Sequence, residues 1–352
     1  MTMPRLSVCI PAYNRAALLP PLLDSIFDQS YTDLEVVIAE DDSPDRSEIR
    51  RIAGRYAARY PGRLIYHENP VNLGYDGNLR QLIELARGDY VVFMGNDDLM
   101  AADAAGAVAA ATHRYLRVGV VLRSYASFRD DPAVAEQVFR YFDEERFFPA
   151  GAATIVTFFR RSVFISGLAV HRETALALAT TEFDGSLLYQ QHLVGHILAR
   201  QNGVYLPDII SHHRLGGTPD FGNSESERGR FVPRQQTPES SVHFMRGMLG
   251  IAASLERSLD LPVYRPILRD IGNYAYPVLS IQADRSLAVF VRYVVAIARL
   301  GFWRVPLFHG YAIALLVLGR ARCDRLIASL KRSMGRAPRL GQVYDGQKNS
   351  VS

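Results

Sequence analysis

Between residues 6 and 94 the chain alternates short apolar runs with segments of helical spacing, and its apolar runs end on polar or acidic residues. Residues 6–10, closed by Pro11, read as a strand, and residues 17–27 as a helix with Leu18, Leu22 and Ile26 on one face. A strand over 34–39, a helix over 46–60, a strand over 64–67, a helix over 78–86 and a strand over 90–94 follow. Strands that alternate with helices close into a parallel, doubly wound sheet, because each crossover helix returns the chain to the same sheet end. In such sheets ligands gather outside the carboxyl ends of the strands. Those ends carry Tyr13-Asn14-Arg15, Glu40-Asp41-Asp42 and Asn96-Asp97-Asp98.

The last of these, in VVFMGNDDLM, sets two adjacent carboxylates at the end of a buried run. Like charges repel and resist desolvation, so the pair calls for a compensating cation or strong donors. A hard divalent ion such as Mg²⁺ or Mn²⁺ suits such oxygens and leaves positions for phosphate and water. The first strand is not followed by G-x-G-x-x-G, and Gly-Lys-Ser/Thr occurs nowhere, which argues against an ordinary dinucleotide fold and a P-loop NTPase.

The stretches SVCIPAYNR, EVVIAEDDSPD and NLGYDGNLRQLIELARGDYVVFMGNDDL resemble, in order and spacing, the nucleotide-binding half of family 2 glycosyltransferases. The flavour is that of O-antigen sugar transferases similar to abequosyltransferases. The resemblance covers residues 5–100 well and 150–215 loosely. It implies an α/β GT-A fold, a doubly wound mixed sheet with a C-terminal α-helical appendage. It further implies a nucleotide-diphospho-sugar donor, Mg²⁺ or Mn²⁺ as cofactor, and inversion at the anomeric carbon.

Carried over by residue, the resemblance sets Pro11, Tyr13 and Arg15 beside the nucleotide, with Asn72 and Asn78 in the same region, and has Asp41 accept from the base edge. Asp97 aligns with the metal-binding second Asp of D-x-D, with Asp98 beside it. Gly95 stands where the first Asp is usual, so Asn96 or Asp98 takes over that contact. His213 and Arg214 fall on a loop that closes over the donor diphosphate. The family's Glu-Asp pair, counted back from Gly203, falls on Gln191-His192, which makes His192 the expected base, with Asp184 and Glu182 as rivals.

Plainer readings stand beside these. Asp41, Asp42 and Asp45 could cap the helix that follows, and Asp97 and Asp98 the Ala-rich segment from 101. Tyr13 could be a packed aromatic, Asn72 and Asn78 turn formers, and SHHR at 211–214 an exposed basic turn. His192 and His196 have half the spacing of a zinc site, but Leu193 replaces the required Glu and no third ligand is evident. Gly95 and the missing acidic pair leave open a non-catalytic nucleotide-sugar binder or assembly subunit.

With 352 residues, 48% of them apolar, the chain can bury a real core and divides on paper into several regions. Residues 1–215 are the expected GT-A domain, with 1–100 as its nucleotide half and 101–215 as its acceptor side. That second half holds strands near 118–124 and 162–170 and a helix over 187–200. Residues 216–240 are an expected mobile loop or linker, 241–338 a helical basic region, and 339–352 a disordered tail. Cys9 and Cys323 do not suggest a disulfide framework, which fits a reducing cytosol.

From Arg285 to Arg339 there are eleven Arg or Lys residues and one acid, Asp324, among apolar side chains. Arg285, Arg292 and Arg299 recur every seven residues on one helix face. Such helices lie in the plane of an anionic membrane surface, which places the protein in the cytoplasm, peripheral to the inner face of the cell membrane. That location suits a lipid-linked glycan acceptor on polyprenyl diphosphate. The alternatives are a soluble helical subdomain or a homo-oligomer interface, and no nucleic-acid module accompanies the charge.

Overall fold

The computed structural model describes residues 3–333. Its first half runs β1 (Leu6–Ala12), α1 (Leu19–Phe27), β2 (Leu34–Glu40), α2 (Arg46–Arg59), β3 (Leu64–Glu68), α3 (Gly74–Leu85), β4 (Tyr90–Phe93), β5 (Leu99–Met100) and α4 (Ala104–Arg114). Next come β6 (Val118–Phe128), β7 (Gln137–Phe139), β8 (Arg146–Phe148), α5 (Ala152–Phe159), β9 (Ala169–His171), α6 (Arg172–Ala177), α7 (Tyr189–Leu198) and β10 (Asn202–Arg214). Helices complete the chain: α8 (Pro238–Leu259), α9 (Tyr264–Asn273), α10 (Tyr276–Ser280), α11 (Leu287–Arg299), α12 (Pro306–Leu318) and α13 (Arg320–Ser333).

One sheet runs β3-β2-β1-β4-β9-β6-β10-β5, with β7 added on β6 and β8 on β10. The β3-β2-β1-β4 part is parallel, and β9 lies antiparallel between β4 and β6, so the sheet is mixed. Side chains alternate across it. Leu6, Val8 and Ile10 of β1 join the core beneath α1, α2 and α4, while Cys9 faces the core beneath α3 and α7. Both faces are covered, which is why β1, β2 and β4 are near-continuous apolar runs in sequence.

Three expected elements shift. Of the strand near 162–170 only Ala169–His171 forms, because residues 160–162 continue α5 as a 3₁₀ turn. Helix α3 begins at Gly74, four residues early, and α7 begins at Tyr189. The expected C-terminal helical region is present and shares a core with the sheet: the cluster beneath α3 and α7 continues through α8, α9, α11 and α12 to Cys323. A Cβ on Gly195 of α7 would lie 2.3 Å from Leu255 Cδ1, so only glycine lets α7 and α8 approach this closely. The expected tail at 339–352, and the basic residues beyond 333, lie outside the described residues.

Candidate active site

From β1 the chain runs to β2 and β3 on one side, while β4 lies on the other. The ends of β1 and β4 therefore bound the crevice where a doubly wound sheet takes its ligand. After β1, Asn14 and Arg15 both adopt left-handed backbone, with φ of 53° and 62°. Asn96, after β4, fastens this turn by donating its Nδ2 to Tyr13 O (3.2 Å) and Asn14 O (3.1 Å). After β2, Asp41 is buried, and its Oδ1 accepts from Asn69 Nδ2 (2.7 Å) and the Leu73 amide (2.9 Å). Burial pushes its pKa up to about 6 against the pull of those donors. Asn78 bridges Asn69 and Ala39 O, and Asn72 Oδ1 accepts from the Gly74 amide.

The two adjacent carboxylates have different surroundings. Asp98 is held by the protein: Ser166 Oγ donates to its Oδ2 (2.5 Å), and His213 Nδ1 and the Arg214 amide donate to its Oδ1, both at 3.0 Å. Asp98 also borders the cavity, with Oδ1 filled by two donors and Oδ2 keeping one lone pair for the expected metal or nucleotide contact. Asp97 Oδ2 takes Arg15 Nη1 at 2.5 Å, and its Oδ1 has no hydrogen bond among the described residues. Burial, then the charge of Asp98, raises the Asp97 pKa, with Arg15 and His213 pulling against them. Gly95 has its own explanation. A Cβ there would come within 3.1–3.3 Å of Asp98 Oδ2, Ser166 Oγ and Asp97 Oδ1, and the Ser166 hydroxyl instead accepts from the Gly95 amide.

Positive charge gathers against these carboxylates. Burial alone would lower the His213 pKa, but the Asp98 charge and hydrogen bond override it and raise it. Arg214 donates its Nε to Asp97 O (3.2 Å). A divalent ion fits here through Asp97: its Oδ1 accepts from no other side chain among the described residues, and Mg²⁺ commonly takes one or two carboxylates, completing its shell with phosphate and water. Among the described residues no three His, Cys, Asp or Glu side chains form a metal cage.

Of the expected mobile linker over 216–240, residues 216–236 fold back over the crevice. Thr218 O accepts from Arg15 Nη2 (2.6 Å), Asp220 Oδ2 from Asn14 Nδ2 (3.2 Å), and buried Glu227 from the amides of Tyr75 (2.8 Å) and Gly222 (2.7 Å). The result is a cavity of about 360 Å³. Every residue expected beside the nucleotide or diphosphate borders it: Pro11, Tyr13, Arg15, Asp41, Asn72, Asn78, Asn96, His213 and Arg214, together with Asp97 and Asp98. Sequence reasoning missed Ser166, Glu227 and the pair Arg160-Arg161, which reach the same cavity with no local motif.

The expected bases do not reach it. His192 is buried on α7, with Nε2 against Leu178 O (3.0 Å) and its ring beside Phe183, and Asp184 is spent on Arg80 at 2.8 and 2.9 Å. Glu182 accepts from Ser254 on α8. The His192 and His196 ring centroids lie 4.5 Å apart with their planes tilted by 54°, and His196 turns to Ser258 rather than toward a third ligand. The capping reading of the acidic pair also goes, since the N-cap of α4 is Asp103.

Burial lowers the His192 pKa from 6.5 to about 4, so this side chain stays neutral in the fold while the unfolded chain protonates. Its contribution to stability is full above about pH 6.5 and is lost as pH falls toward 4, by up to about 3 kcal/mol. His192→Gln should flatten the pH dependence of the urea midpoint over that window; an unchanged slope would refute the assignment.

The model of Glycosyl transferase family 2 matches residues 7–176. Abequosyltransferase RfbV of Salmonella typhimurium is 40% identical over 100 residues, 28% of this chain and 29% of that protein, so the match spans under a third of the relative. S. aureus TarS 1–349 in complex with UDP-GlcNAc shares the fold with a TM-score of 0.60 at 17% identity, over 94% of this chain and 92% of that one. A mannosyltransferase of Pyrobaculum calidifontis in complex with GDP-Man and Mn²⁺ gives 0.51 at 19% identity, over 90% and 87%. Residues 7–176 thus match the model of glycosyl transferase family 2, and the chain shares the fold of these glycosyltransferase structures.

Proposed function

We propose that the protein transfers a sugar from a nucleotide-diphospho-sugar to a hydroxyl of a lipid-linked glycan in surface polysaccharide synthesis, with inversion at the anomeric carbon. One observation carries the reading: Asp41, Asp97, Arg15 and His213 arrive from separate strand ends and a distant strand into one cavity under a covering loop. Asp41 borders the cavity and takes a base-edge donor, and Tyr13 borders the same face. Arg15, His213 and Arg214 spread positive charge where the diphosphate gains negative charge on departure, which lowers the barrier in a site shielded from water. Mg²⁺ or Mn²⁺ held by Asp97 would act there as a Lewis acid on the phosphate oxygens. The loop over residues 215–236 keeps water from the reacting carbon.

A second reading, a nucleotide-sugar binder without transfer, is favoured by the start of α7. There Gln191 spends its amide on Phe159 O (2.9 Å) and His192 meets Leu178 O (3.0 Å), and no carboxylate stands in their place. Incubation of the protein with Mn²⁺ and a panel of UDP-, GDP-, CDP- and dTDP-sugars decides between them. Release of one nucleoside diphosphate with sugar moving to a lipid-linked acceptor is the expected result. Binding without release favours the second reading, and no binding refutes both.

The same reading puts the protein on an anionic membrane surface. No helix among the described residues is long and apolar enough to cross a bilayer. Instead α12 buries Phe308, Ala312 and Leu315 and leaves Leu307, Ile313, Leu316 and Val317 in water, with Trp303 just before it. Arg285, Arg292, Arg299 and Arg304 are also exposed on this end of the molecule. An apolar face with basic neighbours lies on anionic lipid by combining burial with Coulomb attraction. The protein should float with phosphatidylglycerol vesicles and less so with phosphatidylcholine. The double change Ile313→Glu, Val317→Glu should release it, and retention would refute this face as the contact.

A further inference from the structure

The cavity has a second electropositive corner, remote in sequence from the strand ends. Arg160 and Arg161 follow α5 and meet one carboxylate, Asp270 of α9: Arg160 Nε lies 2.8 Å from Asp270 Oδ2 and Arg161 Nη1 3.6 Å from the same atom. Two guanidinium groups on one carboxylate leave a net positive charge. Both side chains are largely buried, at 21% and 15% exposed. Arg161 also donates Nη1 to Thr157 O (2.7 Å), while its Nε is buried with no hydrogen-bond partner. Arg160 is held flat against the Tyr274 ring, 3.8 Å from its centroid, and Arg161 lies 5.6 Å from that of Tyr141. Burial, then the neighbouring Arg160, lowers the proton affinity of Arg161.

An unsatisfied buried cation is costly, and a fixed guanidinium pair matches the oxygens of a phosphate. The surrounding wall is apolar, with Met245, Met248, Ile271 and Val278 facing the same space. A smaller apolar cleft of about 100 Å³ continues from it between the covering loop and α8 and α10, sharing Phe244, Met245, Pro277 and Val278. We propose that Arg160 and Arg161 form an acceptor-side anion site that binds a phosphate oxyanion carried by the acceptor. This rests on the transferase reading above and names the chemical class of the second substrate. The phosphate could belong to a lipid phosphate or to a phosphodiester in a polymer; the oxyanion is common to both.

The test is calorimetric binding of farnesyl phosphate, glycerol phosphate and inorganic phosphate to the full chain, with farnesol as the neutral control. Phosphate-bearing probes should bind and farnesol should bind weaker by roughly tenfold or more. Tighter binding of farnesyl phosphate than glycerol phosphate assigns the lipid source, and the reverse order the polymer source. Arg161→Gln and Arg160→Gln should each weaken the phosphate probes by roughly tenfold. Asp270→Asn, which removes the internal competitor, should tighten them severalfold, and this opposite sign cannot come from a misfolded variant. Phosphate binding that is absent, or unchanged in all three variants, overturns the proposal. Failure of the transferase reading is seen separately, as wild-type protein that cleaves no nucleotide sugar.

Discussion

Asp97→Asn is expected to lower turnover of the nucleotide sugar by about a thousandfold, the upper range for loss of one preorganised charge at a developing anion. It should change the unfolding free energy by no more than about 1 kcal/mol. The carboxylate is desolvated and repelled by Asp98, so neutralising it relieves strain as well as removing the tie to Arg15. Arg15 keeps Thr218 O as a partner, so no cation is left stranded. Nucleoside diphosphate release with Mn²⁺ at saturating donor checks the first number and guanidinium denaturation the second. Turnover near wild type would end the role assigned to this carboxylate.

The neighbouring residue should behave in the opposite way. Asp98→Ala is expected to cost roughly 3 kcal/mol of unfolding free energy and to abolish activity together with it. Asp98 is the acceptor for Ser166, His213 and the Arg214 amide, which ties the turn after β4 to the stretch before β9 and to the end of β10. Removing it leaves three donors without their acceptor, and His213 loses the charge and hydrogen bond that raise its pKa. Asp98→Asn, which keeps one acceptor oxygen, should recover part of the stability. Equal stability of Asp98→Ala and wild type would show that these hydrogen bonds hold little.

The contrast within one dipeptide marks what could be read in advance. The strands β1, β2 and β4 were legible because both faces of the sheet are covered, which leaves an unbroken apolar signature, and their ends were legible because polar residues stop it. Asp41 and Asp97 followed from position at those ends. That Asp98 faces inward depends on Ser166, in the turn before β9, and His213, at the end of β10, which meet only in three dimensions. His192 failed as a base for a similar reason: α7 is buried on nearly every side, so spacing along it says little about which face meets the cavity. Glu227 and Arg161 sit in segments without periodicity, and only the folded chain brings them to the site.

The continuity of the core beneath α3 and α7 into the C-terminal helices has a spatial consequence. Met245, Met248 and Ile271 wall the cavity while α12, packed in the same core, turns Ile313 and Val317 outward. If that outward side rests on lipid, the catalytic chamber stands at one set height over the bilayer, as on a fixed stem. A growing saccharide chain would then be served only while its terminal hydroxyl reached that level, and the next residue added would carry it past.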